Sequence, residues 1–132
     1  MSLLSVIAVA NLALGVYSFC INRAVDETDY YILYVGTNDK DTYKPEISLE
    51  EAFGKVEAIC VKYLKGATFD TAKETWKDET GTLPHENTIQ IFICHADIDT
   101  IHKLSDEILK ELNQNSIMIL KGHASIQYYY GK

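Results

Sequence analysis

The sequence predicts an α+β two-layer sandwich in the order βαββαβ, and three observations predict it. Residues 30–35 (Tyr-Tyr-Ile-Leu-Tyr-Val) and 88–94 (Thr-Ile-Gln-Ile-Phe-Ile-Cys) are runs rich in β-forming residues and apolar on both faces, as central strands are. Each is followed by a polar turn and then by apolar residues at helical spacing. A more polar strand, residues 67–76, divides the two halves, and another closes the chain. This is the signature of a ferredoxin-like split unit, with the first and third strands central and the second and fourth at the edges. Right-handed crossovers put both helices on one face of the antiparallel sheet.

The elements follow in order. Asp26 to Asp29 reads as an acidic linker, and the first strand begins at Tyr30. Residues 36–45 form a polar loop in which Asn38, Asp39 and Asp41 supply turn chemistry. Ser48 opens the first helix of the domain, and Glu51 three residues later completes a capping box. Leu49, Ala52, Phe53, Val56, Ile59, Cys60, Tyr63 and Leu64 form its apolar face, and Gly66 stands just past its end. Asp70, Lys73 and Glu74 mark residues 67–76 as an edge strand. Asp97 or Asp99 caps the second helix, whose stripe is Ile98, Ile101, Leu104, Ile108 and Leu112. Residues 116–120 and 125–130 make the last strand, with a bulge or hairpin expected at Gly122.

Charge divides the chain before any of this. The first 22 residues hold no charged side chain, so all 12 Lys and Arg and all 19 Asp and Glu follow them. Residues 1–22 are therefore read as an N-terminal apolar helix, 23–29 as a linker and 30–132 as the domain. Residues 3–21 as one helix would reach about 28 Å, close to the roughly 30 Å of a bilayer core, so a single-pass membrane anchor is expected. The segment fits a cleavable signal poorly, lacking a basic n-region and exceeding the usual apolar length. A lipoprotein signal fits worse, because Phe19 precedes Cys20. A helix buried in an oligomer is the other reading. Arg23 weakly favours a cytoplasmic side for the domain.

The net charge of −7 argues against a phosphate-backbone partner, so no nucleic acid is expected. Three cysteines at 20, 60 and 94 form neither a CxxC motif nor a disulfide framework, and no metal or cofactor motif occurs. Alternation sends Ile89, Ile91 and Ile93 toward the helices. Tyr30, Tyr34 and Phe92, with Tyr128 and Tyr130, are then left on the open face of the sheet as candidate ligand- or partner-binding residues. Self-association, a small ligand or a protein partner would each use such a surface. Catalytic candidates are weak: His95 and Asp97 follow the third strand and could orient an imidazole, yet a polar pair at a strand end is ordinary loop chemistry. An enzyme would work near them and the loop of residues 36–41.

Short motifs carry a resemblance. Tyr34-Val35-Gly36, Gly66-Ala67-Thr68 with Ala72 and Trp76, Glu86-Asn87-Thr88 and Leu112-Asn113-Gln114-Asn115-Ser116-Ile117 together resemble an uncharacterised bacterial domain family of PII-like layout. The resemblance covers about residues 30–130. It implies a ferredoxin-like domain, often exported or anchored, placed outside the cytoplasm; it supplies no catalytic residues.

Overall fold

The computed structural model describes residues 2–12 and 25–132. A helix, α1, covers residues 3–12. There follow β1 (Val25–Gly36), α2 (Leu49–Tyr63), β2 (Thr68–Thr75), β3 (His85–Cys94), α3 (Ile98–Glu111) and β4 (Met118–Gln127). The four strands form one sheet in the order β2-β3-β1-β4. β3 runs antiparallel to both β1 and β2. This is the α+β, ferredoxin-like arrangement expected, with β1 and β3 central.

The chain divides into two compact units, one of Met1–Thr28 with Ala124–Lys132 and one of Asp29–His123. The first holds α1 and the outer ends of β1 and β4, where Ser125 Oγ donates to a Glu27 carboxylate oxygen at 2.6 Å. The second holds the core. Register places Tyr31 opposite Ile93, Leu33 opposite Ile91 and Val35 opposite Ile89, so all six side chains share a face. All six are buried, packed with Val56, Ile59 and Cys60 of α2 and Ile101, Leu104 and Ile108 of α3. The apolar stretches of β1 and β3 can bury one face this fully because the strand period of two puts every second side chain inward.

Both helices start where their caps dictate. Ser48 Oγ accepts the Glu51 N–H at 3.0 Å, and Asp97 accepts the Thr100 N–H at 2.7 Å. Each cap satisfies an N–H that the first turn leaves without a partner. Across the outer surface Lys55 pairs with Glu111 at 2.7 Å, and Glu107 accepts from both Lys62 and Tyr63. These pairs are substantially exposed, so apolar burial and not charge holds α2 against α3.

Five expectations are corrected. β1 begins at Val25, so residues 26–29 are strand and not linker. β4 runs unbroken through Gly122: a Cβ there would lie 2.3 Å from the Tyr30 ring, so the glycine makes room for an aromatic lying over it and marks neither bulge nor hairpin. α2 is capped at Leu64, ahead of Gly66, and Ile98 of the expected α3 stripe is exposed. The single-pass membrane placement, with the domain on either side, does not stand. Among the described residues no helix is long and apolar enough to cross a membrane. Residues 13–21 of the expected span lie outside the described residues.

Candidate functional site

The face of the sheet away from the helices carries the alternate residues of every strand. On β1 these include Tyr30, Ile32, Tyr34 and Gly36, paired with Cys94, Phe92, Gln90 and Thr88 of β3. On β2 the register sets Ala72 opposite Thr88 and Glu74 opposite Glu86. Ile117, just before β4, and Ile119 on it pack toward the core, which turns Met118 and Leu120 outward.

A cavity of about 590 Å³ opens at one end of this face, within the size range of small-molecule sites. Tyr34 and Gly36 of β1, Glu74 and Trp76 at the end of β2, and Pro84 and Glu86 at the start of β3 line it. Asn38, Asp39, Lys40 and Tyr43 come from the loop after β1, and Gln114, Asn115, Ser116 and Met118 from the α3–β4 connection. With Asp78, which also lines it, four carboxylates (Asp39, Glu74, Asp78 and Glu86) face Lys40 alone among the lining residues.

Hydrogen bonding separates those carboxylates into two kinds. Asp39 Oδ1 accepts from the N–H groups of Asp41 and Thr42 at 2.8 and 3.1 Å, and its Oδ2 accepts from Asn113 at 2.8 Å. Asp78 Oδ1 accepts from the N–H groups of Thr80 and Thr82 and from the Thr80 hydroxyl. Each organises its own turn. The Asn113 amide above all holds the Asp39 carboxyl below its ordinary range, and the Thr80 hydroxyl does the same for Asp78.

The two glutamates have capacity to spare. Glu86 Oε2 accepts the N–H groups of Thr37 at 3.1 Å and Asn38 at 2.9 Å. Glu74 Oε2 accepts the Thr88 hydroxyl at 3.1 Å. Among the described residues no hydrogen bond reaches either Oε1. The Glu86 carboxylate lies directly over Gly36, where a Cβ would meet its oxygens at 2.7 Å, so only glycine lets it reach the loop backbone. Directly opposed residues on antiparallel strands have Cβ atoms about 4.5–5.5 Å apart, and like charges in that position destabilise a sheet. A held, like-charged pair with unused oxygens, walled by Trp76, Tyr34 and Tyr43, is suited to a ligand that brings positive charge and a flat ring.

No family model matches the chain, and no curated protein matches it. Solved structures do. A phage SAM lyase in complex with S-methyl-5'-thioadenosine aligns with a TM-score of 0.56 at 20% identity, covering 80% of this chain and 93% of that one. The same kind of enzyme in its apo state aligns with a TM-score of 0.55 at 21% identity, over 80% and 94%. The likeness is one of fold. GlnK of B. subtilis bound to ATP matches more loosely, with a TM-score of 0.44 at 13% identity over 70% of this chain and 82% of that one.

Of the residues singled out in the sequence, Tyr34 and the loop of residues 36–41 come to this cavity. Tyr30 and Phe92 stack on each other farther along the open face, their ring centroids 5.6 Å apart. Tyr128 and Tyr130 follow the end of β4, belong to the other compact unit and are exposed. His95 and Asp97 lie beyond Cys94, which pairs with Tyr30, whereas Gly36 pairs with Thr88. Six register steps of about 3.3 Å put roughly 20 Å between the two ends, so the structure does not bring His95 to the loop. Asp97 is occupied as the α3 cap. His85 Nδ1 lies 2.9 Å from the Thr75 hydroxyl, and His123 is 3.2 Å from Asp29. Burial pushes the Cys60 thiol up to about 11, which leaves it inert near neutral pH.

Sequence reasoning missed Glu74 and Glu86 as a pair. The short motifs reach Glu86 but not Glu74: Tyr34, Gly36, Trp76, Glu86, Gln114, Asn115 and Ser116 all line the cavity.

Proposed function

We propose that this chain binds S-adenosylmethionine in the Glu74–Glu86 cavity and cleaves its sulfonium to release S-methyl-5'-thioadenosine. The observation that carries this is the opposed glutamate pair, each with an unused oxygen, inside an aromatic-walled cavity of suitable size. The fold likeness to a phage SAM lyase, over nearly all of that chain, supports it. S-adenosylmethionine brings a sulfonium and an ammonium for the carboxylates, and a purine for the aromatic wall. Aromatic faces also attract such cations.

The chemistry balances without another reactant. The bond from sulfur to the aminobutyryl Cγ breaks, and its electron pair stays on sulfur as a neutral thioether. The substrate's own carboxylate oxygen closes onto the Cγ it leaves, giving a lactone. Loss of the positive charge at sulfur removes its attraction to Glu74 and Glu86, which favours product release. The test is incubation of the full chain with S-adenosylmethionine and chromatographic measurement of the thioether. Multiple-turnover release is expected. Release no faster than in buffer, with no binding of either compound at millimolar concentration, would overturn the reading.

A second use of the same face is favoured by the exposed apolar strip of Phe92, Met118 and Leu120 beside Tyr30. A second copy of this chain would cover it. Light scattering of the full chain is expected to give a mass above that of the 14.9 kDa monomer, independent of dilution. A monomer at all concentrations would contradict self-association and leave the cavity reading intact.

A further inference from the structure

We propose that Asn113 is a positioning residue for this cavity, acting as a clasp between the α3–β4 connection and the loop that holds Glu86. The inference rests on the reading of the cavity as an S-adenosylmethionine site. It arises from a cluster that neither the fold nor the cap chemistry requires.

Asn113 follows the Leu112 cap of α3 and adopts φ 49°, the left-handed region that asparagine tolerates better than most residues. In that conformation its side chain crosses to the loop after β1. One amide nitrogen donates to Asp39 Oδ2 and to Asp41 Oδ2, both at 2.8 Å. Its backbone carbonyl oxygen, which stays when the side chain is removed, accepts the Lys40 N–H at 3.0 Å. Its neighbour Gln114 donates to the Asn38 carbonyl at 2.6 Å. Four hydrogen bonds therefore join the two connections, and three of them belong to Asn113.

The clasp bears on the site through a short path. Asn38 supplies one of the two N–H groups that hold Glu86 Oε2, and Thr37 supplies the other. Thr37 is itself fixed by donating its hydroxyl proton to the Asn87 carbonyl at 2.7 Å. Asn38 is tied to β3 through Glu86, and from the far side it is held by Gln114, the neighbour of Asn113. Release of the clasp cuts the tie between this loop and the α3–β4 connection, and the Glu86 carboxylate keeps a donor that is less firmly held. A single amide also screens two carboxylates, Asp39 and Asp41, from each other.

Two substitutions separate the clasp from backbone strain. Asn113→Gly keeps the left-handed backbone accessible and removes the side chain. Asn113→Asp keeps size and conformation but sets a third carboxylate against Asp39 and Asp41. KM for S-adenosylmethionine is expected to rise about tenfold in both, with kcat changed less than about twofold, the pattern of lost uniform binding. Pairing Asn113→Asp with Asp39→Asn and Asp41→Asn, which returns amide donors to the cluster, is expected to recover part of the loss. Hydrogen exchange of residues 37–46 is read in parallel on the ligand-free chain, and faster exchange confined to that loop is expected in both variants. Unchanged loop exchange, or a KM equal to wild type, would overturn the proposal. If the wild-type chain cleaves nothing, the functional reading fails, and loop exchange alone decides whether the clasp exists.

Discussion

Glu86→Gln and Glu74→Gln are expected to weaken binding of S-adenosylmethionine by at least about tenfold each, while Glu74→Gln makes the fold more stable. Both follow from one geometric fact, the direct opposition of Glu74 and Glu86 across β2 and β3. Removing either charge takes away part of the field that attracts a sulfonium, and in a partly enclosed cavity a charge-assisted contact is worth about 1.5–3 kcal/mol. Glu74→Gln keeps an oxygen to accept the Thr88 hydroxyl and relieves like-charge repulsion, so a gain of about 0.2–1 kcal/mol in stability is expected. Glu86→Gln differs, because its carboxylate also holds two loop N–H groups as charge-assisted bonds. Stability there is expected to stay level or fall. Denaturant unfolding and a binding titration on the same samples check both halves. Loss of affinity in neither variant would mean that the pair has no ligand-binding role.

Ile91→Ala is expected to destabilise the chain by about 2–5 kcal/mol, and Phe92→Ala by about 1 kcal/mol or less. The residues are adjacent on β3 yet face opposite ways. Ile91 is fully buried opposite Leu33 in the core against the helices. Phe92 is 37% exposed and stacks on Tyr30 on the open face. Chemical denaturation at constant m-value reads both costs. Equal costs would contradict the assignment of faces, and with it the placement of the cavity on the open side.

The core was legible in the sequence because burial leaves a local record. The isoleucines at 89, 91 and 93 and the Ser48–Glu51 and Asp97 caps each write their structure within a few residues. What was not legible depends on contacts far apart in the chain. Gly122 looked like a break in β4 until the Tyr30 ring, from another strand, was seen to occupy its missing side chain. The start of β1 at Val25 lies in a polar stretch, Asp26 to Asp29, where no apolar alternation announces a strand. The opposition of Glu74 and Glu86 depends on how many residues the β2–β3 connection consumes, and a shift of one would have turned one of them to the other face. His95 and Asp97 drew attention for their chemistry alone; topology puts them at the other end of the ladder.

The central claim is that this cavity recognises a sulfonium by its charge. Trp76 is the sole tryptophan and lines the cavity, so its fluorescence reports on the site itself. The deciding measurement is a titration of that signal with S-adenosylmethionine and with S-adenosylhomocysteine, its uncharged thioether counterpart, at low and high salt. Tighter binding of the sulfonium, with the difference shrinking as salt rises, is the predicted result. Equal affinity for the two, or no response to either, would contradict it.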